Sequence, residues 1–545
     1  MCGIVAYSGY SEDLMVLLYQ GLQKLEYRGY DSSGLAFCQN QKIQVCKEAG
    51  KLKNLNLPNL GGDSRVGIAH TRWATHGSAN KANAHPHLSQ DGRFAIVHNG
   101  IVENYLTLKQ ELENKGYVFQ SETDSEVIAH LISEYYQGDL VRACQKALSQ
   151  IEGTYGLVVI SVEEPNVLIG ARRGSPLVLG VSPKGVHLAS DVSPMLKHTQ
   201  EVIYLDDGDL VRIEGAKYQI LNTGFEEVKR EVQYLEQKDS DAAKAGFPHY
   251  MLKEIFEQPI TIDNTMRGRL LIAEGTAKLS GLEDNIRDLR ELERIILVAC
   301  GTSYYASMVG EYLIEDFAGI PVEVEYASEF RYRNPIITSR TAVLVLSQSG
   351  ETADTLAALL EAKRKGATVL GICNTVGSSI ARATDGGVYL HAGPEIGVAS
   401  TKAFTAQVTV LSLFALLLGR MRRVSNSAGS RLAKILATLP QMVEQTLLQK
   451  DAIFALAAKY KDSQNFLYIG RNVNYPVALE GALKLKEISY IHAEGYAAAE
   501  LKHGPIALLD DNMPVLVLAS KDDLHEKLLS NVKEIKARGA KVIAI

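Results

Sequence analysis

Tryptophan is almost missing from this chain: Trp73 is the one indole in 545 residues. Its six cysteines, at 2, 38, 46, 144, 300 and 373, show no CxxC spacing and are too sparse for a disulfide framework, which points to a reducing, cytoplasmic compartment. Basic runs are absent as well. The net charge is −6 with both signs dispersed, so no nucleic acid partner is expected. No apolar run reaches the roughly 20 residues that cross a bilayer. The longest, VTVLSLFALLLG from Val408 to Gly419, reads as a buried helix, and no membrane association is expected. Glu12 and Asp13 follow so soon that a signal peptide with a basic start and an apolar core does not fit. Without such a signal a lipid on Cys2 is not expected, and myristoylation requires glycine after the methionine.

What is present divides along the chain. Hydrophobic cores stop growing near ~250–300 residues, so two to four domains are expected. Residues 1–240 alternate short β-rich runs (SRVGIAH, RFAIVHNG, YGLVVISV, VLIGARR, EVIYLDDGDLVRI) with helical patterns such as LMVLLYQGLQKLEY and DSEVIAHLISEYY, which predicts packed sheets covered by helices. Residues 241–284 turn polar and helical and read as a connecting segment. Beyond them strand, loop and helix alternate, the signature of a parallel α/β sheet. That half repeats itself. RIILVACGTSYYAS (294–307) matches FLYIGRNVNYPVA (466–478), TAVLVLSQSG matches MPVLVLASKD, and AKRKGATVLGI (362–372) matches IKARGAKVIAI (535–545). Two copies of one nucleotide-binding-like unit are expected, at 285–424 and 455–545. The first copy runs on past Ile372 through GVYLHA and the apolar helix; the second shows no counterpart beyond Ile545 and is expected to be truncated.

The chemistry begins at the second residue. Once Met1 is removed, Cys2 carries both a thiol and the free α-amine. A free thiol has a pKa of ~8.5 and is mostly protonated at pH 7, whereas an amine of pKa ~7.7–8.0 is a nearby base for its proton. A terminal cysteine can also be incidental, but its downstream company suits amide hydrolysis: HTRWATHG (70–77), HNGIVENY (98–105) and SETDSE (121–126). The Asn99 side chain and the Gly100 N–H can donate to a tetrahedral oxyanion. Arg72 suits a substrate carboxylate and Asp124 an ammonium, although a lone arginine is usually a surface ion pair and Asp124 could instead cap the following helix. His76, His85 and His87 show no closed ligand set, and no metal is expected.

MCGIV, LEYRGYDSSG (25–34), HTRWATHG, HNGIVENY and SETDSE together resemble a class II glutamine amidotransferase domain, an N-terminal-nucleophile (Ntn) hydrolase with an αββα sandwich. The resemblance implies Cys2 as nucleophile, Asn99 and Gly100 as oxyanion hole, and Arg72, Thr75, His76 and Asp124 as the glutamine site. It also implies Trp73 as the gate of an ammonia channel.

In the second half, VLVLSQSGETADTLAALL sets Ser347, Gln348, Ser349 and Thr352 between a buried strand and a helix start, where hydroxyls and free N–H groups can hold a phosphate. CGTSYYAS adds Thr302 and Ser303 one strand earlier. Simple N-capping would explain one such loop; two in one sheet favour a phosphate. The second repeat lacks these hydroxyls and instead carries EGALKLKEISYIHAEGYAAAELKHGP (480–505). There Lys484 and Glu487 share a helix face and His503 sits in a loop before Pro505, either a surface pair with a loop histidine or a proton-transfer set for a sugar. These segments resemble tandem sugar-isomerase (SIS) domains, and the whole is similar to the glutamine amidotransferases that aminate fructose 6-phosphate.

The expected fold class is therefore multidomain α/β, an Ntn-type αββα sandwich followed by two doubly wound parallel SIS units. The resemblance implies transfer of the L-glutamine amide nitrogen to fructose 6-phosphate with isomerisation to glucosamine 6-phosphate, the first step of hexosamine synthesis. No cofactor is implied, and a homodimer is. Thr302, Ser303, Ser347, Gln348, Ser349 and Thr352 would hold the sugar phosphate, with Val398 and Ser400 of EIGVASTKAF lining the site. Glu487 would move the proton, His503 assist ring opening and Lys484 support the site. The family's C-terminal tail carries a Schiff-base lysine that this sequence does not contain. A glutaminase alone, or a non-catalytic sugar-phosphate sensor, is the alternative expectation.

Overall fold

The computed structural model describes residues 2–10, 13–26, 29–57, 64–235 and 244–545. Met1, and Tyr27 and Arg28 of the LEYRGYDSSG motif, lie outside them. The chain forms two compact units, Met1–Ala243 and Lys244–Ile545.

The first unit stacks two antiparallel sheets. The eight-stranded sheet runs in the order 233–234, 201–204, 178–182, 185–189, 3–9, 66–72, 32–39, 42–49; the six-stranded sheet runs 217–221, 210–214, 167–173, 153–161, 94–102, 87–88. Alternation along each strand decides its two faces. In Gly3–Gly9, Ile4 and Ala6 meet Ala95, Val97 and Val158 between the sheets, while Val5 and Tyr7 point outward onto the helix Leu14–Leu25. That helix is capped by Asp13, whose carboxylate accepts the Val16 N–H at 3.0 Å. Opposite, Phe94 and Ile96 face the helices Glu126–Tyr135 and Leu140–Leu148. The layers are thus α, β, β, α, and the motif-bearing strands Gly3–Gly9, Val66–Arg72 and Phe94–Val102 lie at its centre.

The second unit holds two parallel sheets. In order of appearance the first has strands Arg294–Ala299, Val322–Tyr326, Thr341–Ser347, Thr368–Cys373 and Gly386–Tyr389, arranged 2-1-3-4-5. Both faces of its central strands are covered: Leu344 and Leu346 pack toward the helix Lys402–Arg422, Val343 and Val345 toward the helix Ala353–Arg364. This is why Thr341–Ser347 is apolar without alternation. The second sheet, from Asn465–Gly470, His492–Ala497, Pro514–Val517 and Lys541–Ala544, is arranged 2-1-3-4, so the repeat seen in the sequence is a repeat of topology.

Two expectations change in detail. Segment 241–284 is no bare linker: Tyr250–Met266 is a helix whose Ile262 and Met266 enter the core of the first parallel sheet. Residues 241–243 lie outside the described part. The apolar run around Val408 belongs to a longer helix, Lys402–Arg422, long and apolar enough to cross a membrane but 83% buried within its unit over that window.

Candidate active sites

Cys2 immediately precedes the strand Gly3–Gly9, and strand pairing sets its neighbours. Gly3 pairs with Thr71, which brings the end of Val66–Arg72 beside the thiol. The Trp73 N–H donates to Cys2 Sγ at 3.2 Å, and Asn99 Nδ2 donates to the Cys2 carbonyl at 3.1 Å. Burial pushes the Cys2 thiol pKa up, opposed by the Trp73 N–H and by the charge of Arg72. A thiol so placed is protonated at neutral pH and needs a base before it can attack. Gly100 adopts φ +138°, and a Cβ there would lie 2.1 Å from the Thr154 carbonyl oxygen. Only glycine fits that turn of the strand, and its N–H follows the Asn99 amide directly.

Arg72 is buried, and its guanidinium wraps the turn that follows, donating to the carbonyls of His76, Gly77 and Ser78. It lies within electrostatic reach of Cys2, Asp31 and Asp124. Asp124 is buried and does not cap the helix after it: its Oδ2 accepts the Val102 N–H at 2.8 Å, tying the SETDSE loop to the strand that carries Asn99 and Gly100. Glu122 joins that loop to the Ser78 N–H and to Asn83. Thr75 and Trp73 are exposed and His76 half-buried, its ring edge-on to Tyr105 at 5.6 Å; Trp73 stands edge-on to Tyr30 at 5.4 Å. The fold therefore gathers Cys2, Arg72, Trp73, Asn99, Gly100 and Asp124. Sequence reasoning passed over Asp31, whose carboxylate accepts the Ala74 N–H at 2.8 Å and so positions the loop holding Trp73. Its place inside a quoted motif was the available signal.

In the second unit, the two hydroxyl-bearing loops leave the carboxyl ends of adjacent strands, Arg294–Ala299 and Thr341–Ser347, at the point where strand order reverses. Ligands of open α/β sheets bind there. Ser347 Oγ accepts the Gly350 N–H and lies 3.0 Å from Thr352 Oγ1, while Ser349 Oγ accepts the Glu351 N–H. Thr352 is the N-cap of Ala353–Arg364 yet its side chain makes no capping bond, so the loop is not explained by capping. Gln348 is half-buried. Ser303 Oγ is taken by Gln407 Nε2 at 2.9 Å. Ser400 donates to Glu395, and Val398 is half-exposed on the same loop. The buried Glu254, from the helix Tyr250–Met266, accepts the N–H groups of Ile396 and Gly397 and pins that loop.

The helix Asn474–Ser489 of the second copy reaches into this place. Lys484 Nζ donates to Thr302 Oγ1 at 3.0 Å and to Glu487 Oε2 at 2.5 Å, and Thr302 donates in turn to Glu480 Oε1 at 3.1 Å. Glu480 escaped sequence reasoning, although Glu480, Lys484 and Glu487 stand at i, i+4 and i+7 of one helix face. It is buried, its second oxygen has no partner, and burial pushes its pKa up to about 7 against the pull of Lys484 and Thr302. A carboxyl poised there is suited to exchange a proton near neutrality. His503 ends the short 3-10 turn Glu500–His503 rather than a loop; it is exposed and makes no hydrogen bond to this cluster among the described residues.

Comparison with known proteins assigns both parts of the chain to families. The model of the glutamine amidotransferase domain matches residues 59–245, and that of the SIS domain matches 288–417 and 459–545. The class so defined is an amidotransferase fused to paired SIS modules. Curated relatives named glutamine–fructose-6-phosphate aminotransferase (isomerizing) are 52% identical in Chlorobaculum tepidum and 50% in Bacteroides thetaiotaomicron, each covering 100% of this chain and 90% of the relative. The solved C-terminal domain of glucosamine-fructose-6-phosphate aminotransferase from Francisella tularensis superposes with TM-score 0.53 at 41% identity, covering 55% of this chain and 84% of that one. The chain belongs to the isomerizing glutamine–fructose-6-phosphate aminotransferase family.

Proposed function

We propose that this chain transfers the amide nitrogen of L-glutamine to D-fructose 6-phosphate and isomerises the product, giving D-glucosamine 6-phosphate and L-glutamate. In the glutamine half-reaction Arg72 takes the substrate carboxylate and Asp124 its ammonium, flanked by Thr75 and His76. The α-amine of Cys2, free after loss of Met1, accepts the thiol proton as sulfur attacks the γ-carboxamide carbon. The resulting oxyanion lies against the Asn99 amide and the Gly100 N–H. Its collapse, with the α-ammonium returning that proton to the leaving nitrogen, expels ammonia and leaves a γ-glutamyl thioester, which water cleaves to glutamate and the thiol. The exposed Trp73, whose backbone adjoins the sulfur, gates the exit of ammonia, which in bulk water would be protonated and lost as a nucleophile.

In the second half-reaction Thr302, Ser303, Ser347, Gln348, Ser349 and Thr352 hold the sugar phosphate, with Val398 and Ser400 beside it. His503 assists ring opening. Ammonia adds to the C2 carbonyl of the open ketose and water leaves, forming an imine. Glu487 then carries a proton from C1 to C2 while the C1 hydroxyl proton passes to the imine nitrogen, which converts the ketose imine to the amino aldose, and Lys484 orders the carboxylates around it. No cofactor is required by these steps. The chain acts as a homodimer in the cytoplasm, where its six free cysteines stay reduced.

The observation that supports this reading most is Lys484 lying on Thr302, which sets the helix face of Glu480, Lys484 and Glu487 in one repeat against a hydroxyl-bearing strand end of the other. The test is an assay with amide-labelled glutamine and fructose 6-phosphate that counts glutamate, free ammonia and labelled amino sugar together. One labelled glucosamine 6-phosphate per glutamate is expected. Glutamate with free ammonia alone would reduce the chain to a glutaminase, and no glutamate at all would leave only a sugar-phosphate sensor.

A further inference from the structure

An oxyanion hole built from a side-chain amide works in one orientation only. A carboxamide keeps nearly the same shape when its ends are exchanged, but the exchange turns an acceptor oxygen toward the developing negative charge where an N–H donor is needed. Asn99 Nδ2 faces the nucleophile, donating to the Cys2 carbonyl at 3.1 Å. What fixes that direction lies behind it. Asn99 Oδ1 is 2.9 Å from Nε2 of His70, which sits fully buried on the strand Val66–Arg72 of the facing sheet. Since the Asn99 oxygen can only accept, the His70 proton is on Nε2. The ring is wedged in place by histidines: His85 packs on it at a centroid distance of 4.2 Å and His87 on His85 at 4.4 Å, with His87 Nε2 3.1 Å from Thr123 Oγ1. Burial lowers the His70 pKa to about 3, so this donor keeps one charge state throughout the neutral range.

We infer that His70 is a positioning residue of the glutamine half-reaction, its Nε2–H holding the Asn99 oxygen away from the thiol so that the Asn99 N–H meets the oxyanion. The inference rests on the reading of Asn99 as an oxyanion donor. His70 touches neither glutamine nor sulfur in this role; it acts through the orientation of one amide.

The test is steady-state glutamine hydrolysis by the full chain in His70→Leu, His70→Gln, Asn99→Ala and the double variant His70→Leu/Asn99→Ala. His70→Phe, which keeps a ring against His85 but has no donor, is the second deletion should the leucine variant not fold. Removing one oxyanion donor costs about 10²–10³-fold in kcat, and loss of the His70 donor should approach that while KM for glutamine moves less than about twofold. His70→Gln, whose amide can still donate to Asn99, should recover most of the rate. In the double variant the His70 change should cost nothing further, because no amide remains to be oriented. Affinity for glutamate γ-semialdehyde, which adds Cys2 and places an oxyanion in the hole, should fall in parallel with kcat. The inference is overturned if His70→Leu and His70→Phe leave kcat intact, raise only KM, or carry their full loss into the Asn99→Ala background. If Asn99→Ala itself leaves kcat unchanged, the oxyanion reading fails first and this inference falls with it.

Discussion

The two parallel sheets of the second unit share one strand order and differ in what their strand ends carry. The first places Thr302, Ser303, Ser347, Ser349 and Thr352 at the reversal of strand order; the second offers no hydroxyl cluster there and instead sends a helix bearing Glu480, Lys484 and Glu487 back to Thr302. In the function proposed above, one copy holds the anion and the other moves protons. On that reading a duplicated framework is divided between binding and chemistry, while the two sheets share the strand order 2-1-3-4.

That division makes testable statements. Its sharpest consequence is at Glu487: Glu487→Gln should lower kcat for amino-sugar formation about 10²–10⁴-fold with little change in the fructose 6-phosphate KM, the size expected for a lost general acid–base group. Glutamine hydrolysis measured in the same samples should be unchanged, and a selective rise in KM would erase the distinction between the two copies. Next is Glu480, whose pKa is pushed up to about 7. A carboxyl with a raised folded-state pKa favours folding below its unfolded value near 4.5, and that advantage is lost as pH rises through about 7. Glu480→Gln should therefore match the parent near pH 4.5 and exceed it in urea unfolding above pH 7 by up to about 3 kcal/mol. A constant difference across pH would contradict the burial argument.

In the binding copy, Ser347→Ala removes a hydroxyl and should raise the fructose 6-phosphate KM about 10- to 100-fold, since a hydrogen bond to a charged group is worth about 1.5–3 kcal/mol, with kcat moving far less. A fall in kcat alone would make Ser347 part of the chemistry instead. The smallest effect is expected on the helix Lys450–Tyr460, which buries none of its residues. Phe454 there is 78% exposed, and Phe454→Ala should shift unfolding free energy by less than about 0.5 kcal/mol. A larger cost would show that this helix packs against something in solution.

Much of this arrangement was legible in the residues, and the reasons are local. Thr341–Ser347 announces a strand buried on both faces by its unbroken apolar run, and the repeat declares itself because both copies keep the same buried strands. Cys2, Arg72, Asn99, Gly100 and Asp124 could be named because each sits in a motif whose residue types suit one task. His492–Ala497, by contrast, reads HAEGYA and shows no strand pattern, since parallel pairing with Asn465–Gly470 rather than propensity makes it one. Segment 241–284 looked like a linker because its buried face is short; only packing shows Ile262 in a core and Glu254 holding the backbone of Ile396 and Gly397.

By itself the sequence determined the chemical inventory and its periodicity: a thiol at residue 2, a glycine where a strand must turn tightly, hydroxyls between strand and helix, and three charged groups along one helix face. These follow from interactions within a few residues. Tertiary structure alone decided which groups meet. Thr302 and Glu480 are 178 residues apart in the chain and share a hydrogen bond, and the proton affinity of Glu480 is set by the water excluded around it. Desolvation and the direction of a hydrogen bond belong to a place in the fold, and no stretch of sequence contains that place.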